Sequence, residues 1–136
     1  MSREKTDGRG ARPSLDGCCV LVAEDEYLVA REISSALRDH GADILGPCPE
    51  LEMALRMLDD PDRIDGAIVD LNLRGRLAIE LAEALQGLGI GFVIATGYDA
   101  SILPPSLCRV PRCTKPFNFE QMIQVLHREI VRETRH

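Results

Sequence analysis

The sequence predicts an α/β domain built on a parallel sheet, and three observations carry that prediction. A short β-branched or apolar run followed by a longer segment with helical spacing recurs five times, which is the alternation of strands with crossover helices. At 136 residues the chain has the length of one ordinary domain and leaves no room for a second. Eighteen apolar residues never run together, so the apolar segments are core elements and no membrane insertion is expected.

Residues 1–16 carry Arg3, Lys5, Arg9 and Arg12 among Gly, Ser and Pro with no apolar run behind them. They read as a disordered polar tail, not a secretory signal, and the domain is expected over 17–133. Cys18 to Ala23 reads as a buried strand, after which Val29, Ile33, Ala36 and Leu37 share one helical face that stops at Gly41. Ala42 to Gly46 is a weaker second strand. Leu51, Leu55 and Leu58 mark a second helix, closed by Asp59, Asp60 and Pro61. Gly66 to Asp70 is a third strand, Leu77, Leu81, Leu85 and Leu88 stripe a third helix, and Ile90 to Thr96 is a fourth strand. Between Gly97 and Ser106, Pro104-Pro105 and the lack of helical periodicity allow one or two helical turns at best. Leu107 to Thr114 is the last strand; Pro111 suits a sheet edge, because proline cannot donate to the ladder. Asn118 with Gln121 resembles a capping box, followed by a closing helix with Phe119, Met122, Ile123, Leu126 and Ile130 on its apolar face.

Sixteen Lys+Arg against twenty-two Asp+Glu give a net charge of −6, with 4% aromatic residues and no Trp. Such a chain is poorly suited to phosphate backbones or base stacking, so no nucleic-acid partner is expected. Cys18, Cys19, Cys48, Cys108 and Cys113 form no C-x-x-C pair and are odd in number, which points to a reducing, cytoplasmic setting. Cys113 reads as a small strand residue in preference to a redox-sensitive one. His40 and His127 read as surface residues.

Parallel sheets bind ligands beyond the carboxyl ends of their strands. There the first strand delivers Glu24-Asp25-Glu26, the third Asp70, the fourth Thr96, and the fifth runs into Lys115. Clustered carboxylates repel and are relieved by a cation or a raised pKa. Glu24, Asp25 and Asp70 sum to −3, which a divalent Mg²⁺ and Lys115 balance, and Mg²⁺ on one or two carboxylates leaves room for phosphate oxygens. Lys115 stands out because fourteen of the sixteen basic residues are arginines and the second lysine, Lys5, lies in the tail. A compact ammonium at a strand end suits a point contact to phosphate or carboxylate.

Four stretches, Val22-Ala23-Glu24-Asp25-Glu26, Ile68-Val69-Asp70-Leu71-Asn72, Ala95-Thr96-Gly97-Tyr98 and Thr114-Lys115-Pro116-Phe117, resemble in order and spacing the receiver domains of two-component response regulators, over roughly residues 17 to 133. The resemblance implies a flavodoxin-like (βα)5 fold with a five-stranded parallel sheet in order 2-1-3-4-5. It makes Asp70 the phosphoacceptor that attacks a phosphohistidine. Asp25 and Asp70 become direct Mg²⁺ ligands, Glu24 acts through water, and the backbone carbonyl of Asn72 completes the set. Thr96 would hydrogen-bond a phosphoryl oxygen and Lys115 would pair with the phosphoryl group, or with Asp70 before it arrives. The Lys115-Pro116 bond is expected to be cis. Implied partners are a sensor histidine kinase or a histidine phosphotransfer protein, then a downstream protein target.

Arg112 stands three residues before the lysine, where receivers usually carry an aromatic that moves with the threonine. Phe92-Val93-Ile94-Ala95-Thr96-Gly97-Tyr98 is instead similar to the Phe-Ala-Thr-Gly-Tyr signature of an atypical single-domain receiver subgroup with a shortened or missing fourth helix. Tyr98 reads equally as a signal-carrying residue or a packing residue. Arg112 either reaches a phosphoryl oxygen or stays solvated, and solvation is the preferred reading. Arg74-Gly75-Arg76 either steers a phosphodonor or forms a flexible solvated loop.

The leading expectation is a stand-alone phosphorylatable receiver without an output domain or separate substrate turnover. A phosphatase of the haloacid dehalogenase type uses the same Asp, Thr/Ser, Lys and Mg²⁺, but there the nucleophilic Asp follows the first strand and the acidic pair comes late, the reverse of this chain. A degenerate receiver serving as a constitutive protein-binding module is the third possibility, kept open by Arg112.

Overall fold

The computed structural model describes residues 13–97 and 102–134. Among the described residues, seven strands and four α-helices follow one another: β1 (Cys19–Ala23), α1 (Tyr27–Asp39), β2 (Asp43–Cys48), α2 (Leu51–Met57), β3 (Gly66–Asp70), β4 (Asn72–Leu73), β5 (Arg76–Leu77), α3 (Ile79–Gly87), β6 (Gly91–Thr96), β7 (Arg112–Thr114) and α4 (Phe119–Thr134). Five strands form one parallel sheet in order β2-β1-β3-β6-β7. Counted along the main sheet alone, this is the expected 2-1-3-4-5 order of a flavodoxin-like fold. The order reverses between β1 and β3, and the site lies at that switch point.

Strand side chains alternate faces, so each central strand feeds two cores. Leu21, Ala23, Ala67, Val69, Phe92 and Ile94 face Leu51 and Ala54 of α2 and Leu81, Ala82 and Leu85 of α3. Val20, Val22, Ile68, Val93 and Ala95 face Ile33 and Leu37 of α1 and Met122, Ile123, Leu126 and Ile130 of α4. β3 and β6 are buried along their whole length, as expected for strands covered by helices on both sides. At Gly91 the α4 backbone comes so near that an added Cβ would meet the Glu129 carbonyl oxygen at 2.5 Å.

Several sequence expectations need correction. Leu77 and Leu88 lie outside α3 and are 46% exposed, because the helix runs only from 79 to 87 and buries Leu81, Ala82 and Leu85. The second strand extends through the cis peptide Gly46-Pro47 to Cys48. The fifth is shorter than expected: Leu107 is buried in a short 3-10 turn, and Pro111 precedes the edge strand, its carbonyl accepting the Ile94 N–H. Residues 13–16 are not a loose tail. Leu15 is fully buried and its N–H bonds the His40 carbonyl at 2.7 Å, so packing begins ahead of residue 17; residues 1–12 lie outside the described part. His40 is buried, its Nδ1 2.8 Å from the Pro13 carbonyl and its Nε2 3.2 Å from Glu120 Oε2. It was expected on the surface because its position at a helix end said nothing of the segment folded over it.

Between β6 and β7 the described residues contain no α-helix, only the 3-10 turn Pro105–Leu107, in line with the shortened or absent fourth helix. Asn118 Oδ1 accepts the Gln121 N–H at 3.0 Å, the first half of the capping box. Tyr98 lies outside the described residues.

Candidate functional site

Four strands end at one rim and deliver the expected side chains together. β1 stops at Ala23, and Glu24 turns inward, 2% exposed, with its N–H on the Cys48 carbonyl. Asp70 closes β3 at 4% exposure and Thr96 closes β6 at 2%. Lys115 follows β7, its N–H bound to the Thr96 carbonyl at 3.1 Å, and its peptide bond to Pro116 is cis as expected. Asp25, Glu26, Asp70, Asn72, Gly97 and Lys115 line an open cleft of about 280 Å³.

Glu24, Asp25 and Asp70 each bring a carboxylate oxygen to within 4.8 Å of the other two. Glu24 Oε2 accepts the Glu26 N–H at 3.0 Å, while the buried Glu24 Oε1 has no hydrogen-bond partner. Burial foremost, and then the neighbouring Asp70 carboxylate, push the Glu24 carboxyl up to about 8. Three hard oxygen donors with an unsatisfied buried oxygen among them fit a hard divalent cation such as Mg²⁺.

Lys115 Nζ lies 3.7 Å from Asp70 Oδ2 and 2.5 Å from Glu26 Oε1. Burial pulls the Lys115 ammonium down, but the hydrogen bond to Glu26 and the charges of Asp70 and Glu24 outweigh it, and its pKa is raised. Glu26 adds a further carboxyl group to the rim formed by Glu24, Asp25 and Asp70. The sequence places it in the acidic triplet Glu24-Asp25-Glu26 at the strand end but does not give it Lys115 as its partner.

The second feature missed from sequence is a hairpin. β4 and β5 pair antiparallel around Arg74-Gly75, both with positive φ (52° and 83°), the pattern of a two-residue type I′ turn. Its backbone reaches the site twice: the Asn72 N–H donates to Asp70 Oδ1 at 3.0 Å and the Arg74 N–H to Asp25 Oδ2 at 2.8 Å. Asn72 Oδ1 accepts the Gly75 N–H, Arg74 pairs with Glu50 at 2.8 Å, and Arg76 pairs with Glu52. Arg74-Gly75-Arg76 is therefore a tied-down turn, contrary to the flexible-loop reading. An N-G or D-G pair would have flagged it; R-G did not. Arg112 is exposed, in keeping with the solvated reading.

No protein-family model and no curated protein matches the sequence. Among solved structures, a response regulator receiver protein from Sinorhizobium medicae WSM419 superimposes with a TM-score of 0.75 at 22% identity, over 88% of this chain and 99% of that one. The signal receiver domain of a modulated diguanylate cyclase from Desulfovibrio desulfuricans G20 is similar at TM-score 0.73 and 28% identity, over 85% and 95%. SdrG from Sphingomonas melonis Fr1 is similar at TM-score 0.66 and 29% identity, over 84% and 96%. The structural neighbours of this chain are response regulator receiver domains, and the fold is theirs.

Proposed function

We propose that the protein is a receiver that accepts a phosphoryl group on Asp70 in a Mg²⁺-dependent reaction and relays the signal by a change of its surface. The observation that carries this reading is the grouping of Glu24, Asp25 and Asp70 within 4.8 Å, with Lys115 Nζ 3.7 Å from Asp70. In the proposed step an Asp70 carboxylate oxygen attacks phosphorus. The donor ring carries a proton on its other nitrogen, so the new O–P bond forms as the P–N bond breaks and the electron pair stays on the departing nitrogen as the lone pair of a neutral imidazole. Mg²⁺, when bound, supplies positive charge to phosphoryl oxygens.

The chain's own groups do the rest. Asp25 and Asp70 are the proposed direct ligands, Glu24 acts through water, and the Asn72 carbonyl completes the set. The Asn72 and Arg74 N–H groups orient the two aspartates from behind. Thr96 is proposed to hydrogen-bond a phosphoryl oxygen and Lys115 to pair with another. The phosphoryl group carries about −1.5 to −2 charge in place of the single charge of the Asp70 carboxylate and projects three acceptor oxygens into the cleft, a change proposed to bias two surface arrangements. The proposed donors are a sensor histidine kinase or histidine phosphotransfer protein in the cytoplasm, and the output is a protein target.

Arg112, the Thr96-Gly97 strand end and the lack of an α-helix among the described residues between β6 and β7 support placement in the subgroup without the aromatic switch. PhyR from Brucella abortus has the same fold over about half its own chain, at 20% identity; PhyR from Bartonella quintana is an anti-anti-sigma factor. By analogy a regulatory protein, not a small molecule, is the proposed downstream target.

Incubation with Mg²⁺ and acetyl phosphate followed by intact mass measurement tests the reading. A gain of one phosphoryl group that Asp70→Asn abolishes is expected. No gain, or a gain that survives the substitution, overturns it.

A further inference from the structure

We propose that Glu26 is a positioning residue that holds the Lys115 ammonium away from Asp70 and surrenders it when a phosphoryl group arrives. The inference rests on the phosphoacceptor reading for its kinetic consequence, but the geometry behind it is independent of phosphorylation.

The Glu26 backbone is fixed on both sides: its N–H donates to Glu24 Oε2 at 3.0 Å and its carbonyl accepts the Ala30 N–H at 2.8 Å, the opening bond of α1. Only its side chain is free to swing. Glu26 Oε1 stands 2.5 Å from Lys115 Nζ, against 3.7 Å for Asp70 Oδ2. The buried aspartate, at 5% side-chain exposure, thus loses the closer contact to a glutamate whose side chain is 58% exposed. An exposed ion pair contributes little net stability, so Lys115 leaves Glu26 at small cost. Nζ also lies 5.9 Å from the Phe117 ring centroid, within cation-π range.

An acyl phosphate on Asp70 reverses the balance. Its oxygens extend into the cleft that Glu26 and Lys115 line together, and they carry more charge than the single Glu26 carboxylate. The ammonium moves to them, and Glu26 is left as an uncompensated like charge beside the new group. Glu26 therefore slows loading in two ways, by competing for the lysine and by repelling an anionic donor. Nothing in the family resemblance gives this position a role.

The test uses wild type, Glu26→Gln, Lys115→Gln and the double variant, with Mg²⁺ and graded acetyl phosphate, read by intact mass. Glu26→Gln is expected to speed loading roughly threefold to tenfold and to lower the half-saturating donor concentration. That gain should shrink by more than half in the Lys115→Gln background, the coupling expected of groups acting through one another; Glu26→Asp should restore most of the slow behaviour. A crystal structure of donor-free Glu26→Gln supplies the second readout, with Lys115 Nζ expected to close on Asp70 to about 3 Å. An unchanged rate, a gain undiminished without Lys115, or a lysine that stays off Asp70 each overturns the proposal. If the lysine moves but neither protein takes up phosphorus, the positioning role stands and the phosphoacceptor reading fails.

Discussion

The Arg74 N–H donates to Asp25 Oδ2 at 2.8 Å across 49 positions of sequence. This single backbone bond ties the turn between β4 and β5 to the acidic end of β1, and the adjacent Asn72 N–H does the same for Asp70. Both carboxylates are therefore aimed by backbone N–H groups of one hairpin, Asn72 in β4 and Arg74 in its turn, in the way outer-shell hydrogen bonds orient ligands.

Changing that turn should loosen the site. Gly75 has φ +83 and open space around a would-be Cβ, so Gly75→Ala is penalised by conformation alone, by about 1 kcal/mol. Thermal melting should fall by roughly 4 °C, and calorimetric titration should show weaker Mg²⁺ binding. Binding equal to wild type would mean that the turn does not orient Asp25.

Stability should depend on pH through Glu24. Its carboxyl is raised from 4.5 to about 8 in the folded protein, so the native state keeps a proton that the unfolded chain releases. Its contribution is complete below about pH 4.5 and is lost as pH rises through about 8. In metal-free buffer the melting temperature of wild type should fall across that window relative to Glu24→Gln, whose profile should be flatter there.

Magnesium should stabilise the fold by binding the native state alone. At a hundred times its dissociation constant, a single-site ligand adds about 2.7 kcal/mol. Asp25→Asn should remove most of that gain and EDTA all of it, read as the shift in melting temperature at pH 8. A wild type that melts identically with and without the ion would contradict the site's proposed chemistry.

Two glycines separate backbone crowding from side-chain crowding. A Cβ at Gly91 meets the Glu129 carbonyl at 2.5 Å, whereas at Gly66 it meets the flexible end of Ile130 at 2.7 Å. Gly91→Ala should cost about 2–3 kcal/mol and Gly66→Ala closer to about 1 kcal/mol in denaturant unfolding.

Most of the fold was legible because its cues are local. Strand runs such as Gly66 to Asp70 and helix stripes such as Met122, Ile123, Leu126 and Ile130 are visible within a few residues, and topology follows from the alternation. The six proposed site residues were legible for the same reason, each standing at a strand end or within two residues of it. What escaped depends on distant partners. Leu15 and His40 are buried only because the segment before β1 folds across the end of α1 toward Glu120. The hairpin at Arg74-Gly75 is fixed by Asp25, Glu50 and Glu52, none of them near in sequence. Glu26 was counted as one more strand-end acid, since nothing local says that Lys115 chooses it over Asp70.

The scarcity of lysine makes this molecule unusually easy to interrogate by amine chemistry. Only Lys5 and Lys115 carry a side-chain amine, and the raised pKa of Lys115 keeps it charged and slow to acylate. Resistance of Lys115 to a mild acylating reagent, set against Lys5 in the same digest, becomes a built-in gauge of how tightly the acidic rim grips its ammonium.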